Sequence, residues 1–138
     1  MWDSVLPTGH LKQAIRQFVE PAPVSFVALL RVLPQLKGTD DLTVNTSFIL
    51  WRGLSTEGVE ALQDLHADSA IFFWLCSPDV YARTGDAPFL RLASRSPKLG
   101  ECPWLPTLIH GRAPTAAESR VAVKEYVADL ARYALPPR

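Results

Sequence analysis

The side chains best suited to chemistry in this chain are three histidines, His10, His66 and His110, and two cysteines, Cys76 and Cys102. The histidines fall in separate stretches, and no H-x-x-x-H or comparable metal-ligand spacing joins them. In Asp64-Leu65-His66-Ala67-Asp68 a histidine stands among carboxylates, yet on a helix these residues do not all share one face. That run reads as a solvated helix end. Cys76 with His110 is the one combination that would give a nucleophile and its base, provided that strands brought the two together. The default for a cysteine in an apolar strand is a buried, inert thiol. Cys76 and Cys102 match neither a disulfide framework nor a zinc pattern, so both are read as reduced. Glycine-rich phosphate loops, a G-x-S-x-G elbow and paired-carboxylate motifs are all missing. The expectation is therefore a protein that is not an enzyme and carries no metal or cofactor.

Charge points to binding instead, and limits it. The 138 residues hold 14 basic and 14 acidic side chains, which rules out coating nucleic acid by bulk electrostatics. The distribution is uneven: residues 1–69 carry 5 basic and 8 acidic side chains, whereas residues 70–112 carry 5 and 3. The middle stretch is thus the anion-facing candidate. With 48% apolar residues the chain can build one real core, and a single domain over 1–138 is expected. Its longest apolar run, Ala70 to Cys76, is far short of the roughly 20 residues needed to cross a bilayer. Met1-Trp2-Asp3-Ser4 has no basic, apolar and small-residue signal pattern, so a soluble, cytoplasmic protein with no membrane contact is expected.

The elements that must position these residues follow from periodicity. Gly9 to Glu20 reads as an amphipathic helix with Leu11, Ile15, Phe18 and Val19 on one side, ended by Pro21 and Pro23. From Val24, the residues Phe26, Val27, Leu29, Leu30, Val32 and Leu33 predict a central helix that stops near Pro34. Lys37-Gly38-Thr39-Asp40 reads as a helix stop and turn, and Leu42-Thr43-Val44 as a short strand. Asn45-Thr46-Ser47 offers caps for a helix over Phe48, Ile49, Leu50 and Trp51, broken by Gly53. Ser55 caps a further helix with Val59, Leu62 and Leu65 as its buried stripe, running to about His66. Ile71 to Leu75 then reads as a strand, and Phe89 to Ala93 as its hairpin partner across the loop 77–88. Within 94–114, Leu105 to His110 suggests another short strand. Thr115 caps a final helix with Val121, Val123, Tyr126, Val127, Leu130 and Tyr133 as a broad apolar face.

This order, and above all Phe48 to Leu65 with its Leu54-Ser55 turn, resembles the winged helix-turn-helix superfamily. The resemblance covers about residues 24–95. It implies an α+β fold: a core of three helices plus a β-hairpin wing, extended by flanking helices at about 9–20 and 115–135. It also implies that the Ser55 helix is the recognition helix and that 77–88 is the wing. The outward face of that helix would present Thr56, Glu57, Glu60, Gln63 and Asp64, three of them acidic. An acidic face repels a phosphate backbone.

The leading expectation is a winged-helix DNA-binding protein, a regulator of transcription or replication, that meets double-stranded DNA mainly through its wing. Its candidate DNA contacts are Arg52, Thr56, Gln63, Arg83, Arg91, Arg95 and Lys98. The alternative is a winged-helix protein-interaction module with little DNA affinity, binding a partner through Glu57, Glu60, Asp64 and Tyr81. Trp74 and Trp104 lie near the hairpin but read as core residues before they read as interface anchors. The flanking helices offer enough apolar surface for a homodimer, or equally to close the monomer's own core.

Overall fold

The computed structural model describes residues 8–44, 48–82 and 103–130. Among them the chain is α+β, with five helices and two separate two-stranded antiparallel sheets. None of these helices is long and apolar enough to cross a membrane. α1 (Thr8–Val19) buries Leu11, Ile15 and Val19, which recur every four residues. Its apolar stripe is therefore spent on the monomer's core, each fully buried Leu or Ile contributing about 1.5–3 kcal/mol. α2 (Phe26–Val32) starts two residues later than Val24, because Val24 is paired with Ile109 in a β-bridge. Ser25 caps α2 by accepting the Ala28 N–H at 3.0 Å. Phe26, Leu29 and Leu30 are buried on α2, and Pro34 ends it by opening a 3-10 turn, Pro34–Leu36.

The next stretch departs most from expectation. Lys37-Gly38-Thr39-Asp40 does not stop a helix but begins β1 (Lys37–Val44), and Phe48 to Trp51 is not helical but part of β2 (Phe48–Leu54). β1 and β2 form an antiparallel pair in which Leu42 faces Trp51, Thr43 faces Ile49 and Val44 faces Phe48. A four-residue apolar run does not separate strand from helix by periodicity, so the partners decide. β2 has partners on both sides: Ile49 N–H donates to Pro103 C=O at 2.8 Å, and Leu105 N–H donates to Ile49 C=O at 2.9 Å. A helix over 48–51 would forfeit both bonds and the β1 ladder.

The two glycines read as helix breakers have other tasks. Gly38 lets the chain pass against the end of β2, where a Cβ would lie 2.5 Å from both the Leu54 oxygen and the Ser55 Cα. Gly53, at φ +96°, turns the strand where Lys37 and Asp40 both oppose Leu54. The suggested caps at Asn45-Thr46-Ser47 lie outside the described residues.

α3 (Thr56–Ala67) forms as expected, with Leu62 and Leu65 buried and Val59 half-buried. Ser55 accepts the Gly58 N–H at 3.0 Å, while its own N–H donates to Leu36 C=O at 2.7 Å, fastening the helix start to the 3-10 turn. β3 (Phe72–Leu75) pairs antiparallel with β4 (Thr107–His110), Trp74 facing Leu108. The expected hairpin partner Phe89 to Ala93 and the loop tip 83–88 lie outside the described residues. In the remainder of the loop, Asp79–Ala82 makes one helical turn, α4.

Above the β3–β4 sheet runs α5 (Ala116–Leu130). It opens with a reciprocal cap, Glu118 N–H to Thr115 Oγ1 at 3.1 Å and Thr115 N–H to Glu118 Oε1 at 3.0 Å. Its broad apolar face is not buried as a whole: Tyr126 is inside, whereas Val121, Val123 and Val127 are exposed.

The core is aromatic at its centre. The Phe26 and Trp51 rings stack at 5.4 Å, and Tyr81 lies against Trp51 and Trp104 at 5.1 and 5.5 Å. Leu36, Leu42, Leu54, Ile71 and Ile109 close the core around them.

Candidate functional site

The outward face of α3 is set by its buried one. Because Ala61, Leu62 and Leu65 turn inward, Thr56, Glu57, Glu60, Gln63 and Asp64 all point outward and are exposed. This face carries carboxylates and no cation of its own. The β1–β2 pair extends it, because Thr56 Oγ1 donates to Asp40 at 2.8 Å, placing Asp40 and Asp41 beside the helix start. Arg52, the expected DNA contact nearest this face, donates from Nε and Nη2 to Asp41 at 3.1 and 3.3 Å. At the other end Lys12 of α1 pairs with Asp64 at 3.0 Å.

The remaining expected DNA contacts Arg83, Arg91, Arg95 and Lys98 lie outside the described residues. Gln63 is exposed, while Thr56 is engaged by Asp40. Of the expected partner contacts, Glu57, Glu60 and Asp64 share this surface, and Tyr81 does not. Tyr81 is 1% exposed, accepts the Phe26 N–H at 3.0 Å and donates to the Thr107 carbonyl at 2.7 Å. It joins α2, α4 and β4 from within, and burial pushes its phenol above the usual range. Trp104 is likewise core, 2% exposed, with its indole N–H donating to Leu50 C=O at 3.3 Å.

The sequence did not reveal a second constellation, around Trp74. The His110 ring stacks on Trp74 at 3.7 Å, the Arg112 guanidinium sits 4.7 Å from the Trp74 ring, and Trp74 Nε1–H donates to Arg112 C=O at 2.9 Å. Arg112 in turn forms a two-pronged bond to Glu118 at 2.8 and 2.7 Å. That bond holds the Glu118 carboxyl down at about 2, with help from the Thr115 N–H. Burial, then the neighbouring Arg112 charge, lowers the His110 imidazole pKa below its ordinary value. Only the β3–β4 register brings these residues together, since Trp74 and Arg112 lie far apart in the chain. The stacking at His110 and Trp74 was open to discovery only through the strand read at Leu105 to His110.

A cleft of about 630 Å³ lies between α5 and the sheet, with Trp74, Leu108 and Cys76 on one wall and Glu118, Glu125 and Asp129 on the other. Cys76 and His110 both border it without forming a dyad. His110 faces Phe72, whereas the Cys76 N–H bonds to Pro106, so the two stand at opposite ends of the strand pair, about 13 Å apart along the ladder. Burial also pushes the Cys76 thiol up to about 12, the reverse of an activated nucleophile. The run around His66 is equally taken up: Asp64 pairs with Lys12, Asp68 caps α3 and the His66 ring lies against Phe73 at 5.1 Å. Comparison of the chain with protein-family models, with curated proteins and with solved structures finds no match.

Proposed function

We propose that this chain is a protein-interaction module whose working surface is the outward face of α3 with the adjoining Asp40 and Asp41 of β1. One observation carries the reading: Arg52 is matched by Asp41, leaving Glu57 and Glu60 to set the sign of the surface. DNA affinity comes mainly from phosphate contacts, which such a surface opposes. Its complement is a protein segment bearing lysine or arginine, which an exposed acidic face attracts and orients. Of the winged-helix arrangement, α2 and the capped α3 form where expected, whereas β2 stands where the first helix of the helix-turn-helix was expected and β3 pairs with β4.

A second reading keeps the winged-helix DNA-binding regulator. It rests on Arg83, Arg91, Arg95 and Lys98, cations that within 83–98 are opposed by Asp86 alone. A single set of titrations separates the two. Random duplex DNA is offered at low and moderate salt to the wild type and to an Arg83→Ala, Arg91→Ala, Arg95→Ala variant, and a lysine-rich peptide is offered to the wild type and to Glu57→Lys, Glu60→Lys. The module reading expects negligible duplex binding, and peptide binding that the lysine variant loses. Duplex binding with a steep salt slope that flattens in the arginine variant would replace it by the second reading.

A further inference from the structure

The exposed large apolar side chains among the described residues are Val32, Val121, Val123 and Val127, so α5 holds most of them. α5 also sorts its charges by face. Glu118, Glu125 and Asp129 turn toward the cleft, together with Val121. Arg120, Val123 and Val127 recur at helical spacing on the side away from it, with Lys124 adjacent. Val123 is 51% and Val127 40% exposed. No described carboxylate forms an ion pair with Arg120 or Lys124.

Two features of this outer face are unfavourable for the isolated helix. Arg120 and Lys124 are like charges one turn apart, which costs a helix about 0.2–0.5 kcal/mol. Exposed valines are also poorer helix formers than alanine or leucine. A ligand that set carboxylates between the two cations and apolar side chains over the two valines would relieve both. A second copy of α5 brings the same two cations and so repels, and duplex DNA has no use for the valines.

We propose that the outer face of α5, built from Arg120, Val123, Lys124 and Val127, is the docking surface for an acidic amphipathic helix of a partner protein. The contact is helix against helix: the partner's apolar stripe covers Val123 and Val127 while its flanking glutamates or aspartates lie against Arg120 and Lys124. This surface is separate from α3 and opposite to it in charge, so the chain would join a basic partner on one face to an acidic one on another.

The probe is a synthetic helical peptide with leucines at helical spacing flanked by glutamates, compared with the same peptide carrying lysine for each glutamate. Binding is followed in the full chain by amide and valine-methyl NMR shifts. The glutamate peptide should move the signals of α5 and bind in preference to the lysine peptide. Arg120→Glu with Lys124→Glu should weaken it about tenfold and reverse the preference, since two surface attractions become repulsions. Val123→Ser with Val127→Ser should abolish binding while the melting temperature holds, because both side chains are exposed and outside the core.

Equal binding of both peptides, or shifts elsewhere than α5, would overturn the proposal. So would a mass that rises with concentration without peptide and falls back in the serine variant, which would assign the face to a second copy. Glu57→Lys with Glu60→Lys should leave this binding intact, which keeps a failure of the α3 reading distinct from a failure here.

Discussion

Replacing Tyr81 by phenylalanine tests whether this residue is an internal strut or a partner contact. The ring would remain against Trp51 and Trp104, and only the hydroxyl would go. That hydroxyl satisfies two buried backbone groups from distant parts of the chain, the Phe26 N–H at 3.0 Å and the Thr107 carbonyl at 2.7 Å. The first is a first-turn N–H of α2, with no acceptor inside its own helix. A buried polar group left without a partner costs about 1–3 kcal/mol, so the two together should cost about 2–6 kcal/mol. For a chain of this length such a loss lowers the melting temperature by roughly 7–20 °C. Urea unfolding followed by tryptophan fluorescence reads it directly, because Trp51 and Trp104 line the same site. The midpoint should fall with the slope unchanged. A loss below about 0.5 kcal/mol, the size of an ordinary surface change, would refute the strut and return Tyr81 to the surface.

Gly38→Ala should destabilise by about 2–4 kcal/mol, because the new methyl meets backbone of Leu54 and Ser55 that cannot swing aside; a variant as stable as the wild type would show that the β1–β2 contact is looser than described. Thr107→Val should raise stability by about 1 kcal/mol, since the Thr107 hydroxyl is buried with no hydrogen-bond partner and valine keeps its shape, and a fall in the urea midpoint would contradict this. His110 has a pKa lowered below 6.5 by burial and by Arg112, so the unfolded chain takes up its proton first. Its contribution is complete above 6.5 and erodes as the pH falls from 6.5 toward the lowered value. His110→Gln should remove that part of the stability slope, and an unaltered slope would mean that the Trp74 stack does not depend on the neutral ring.

Much of the local structure was legible in the sequence alone. The stripes Leu11, Ile15, Val19 and Val59, Leu62, Leu65 announce α1 and α3, because helical spacing forces such residues onto one side whatever lies beyond, although Val59 is only half-buried. Ser25, Ser55 and Thr115 cap their helices through bonds to residues three positions on, so the Ser55 and Thr115 caps are legible locally. The outward set Glu57, Glu60, Gln63 and Asp64 followed from the same geometry, and so did the acidic sign of that surface.

Tertiary structure decided everything that needed a distant partner. Phe48 to Trp51 satisfies helix and strand patterns alike, and only β1 on one side with Pro103 and Leu105 on the other makes it a strand. Gly38 and Gly53 look like punctuation until the close approach at Leu54 and the positive φ are known. The Arg52–Asp41 pair turns on a strand register, and the Trp74, His110 and Arg112 cluster on another. Burial depends likewise on what covers a face, which is why the stripe of α1 is spent in the core while Val123 and Val127 of α5 stay open. Local order follows from the spacing of residues along one element; the identity of a surface follows from which elements are left uncovered.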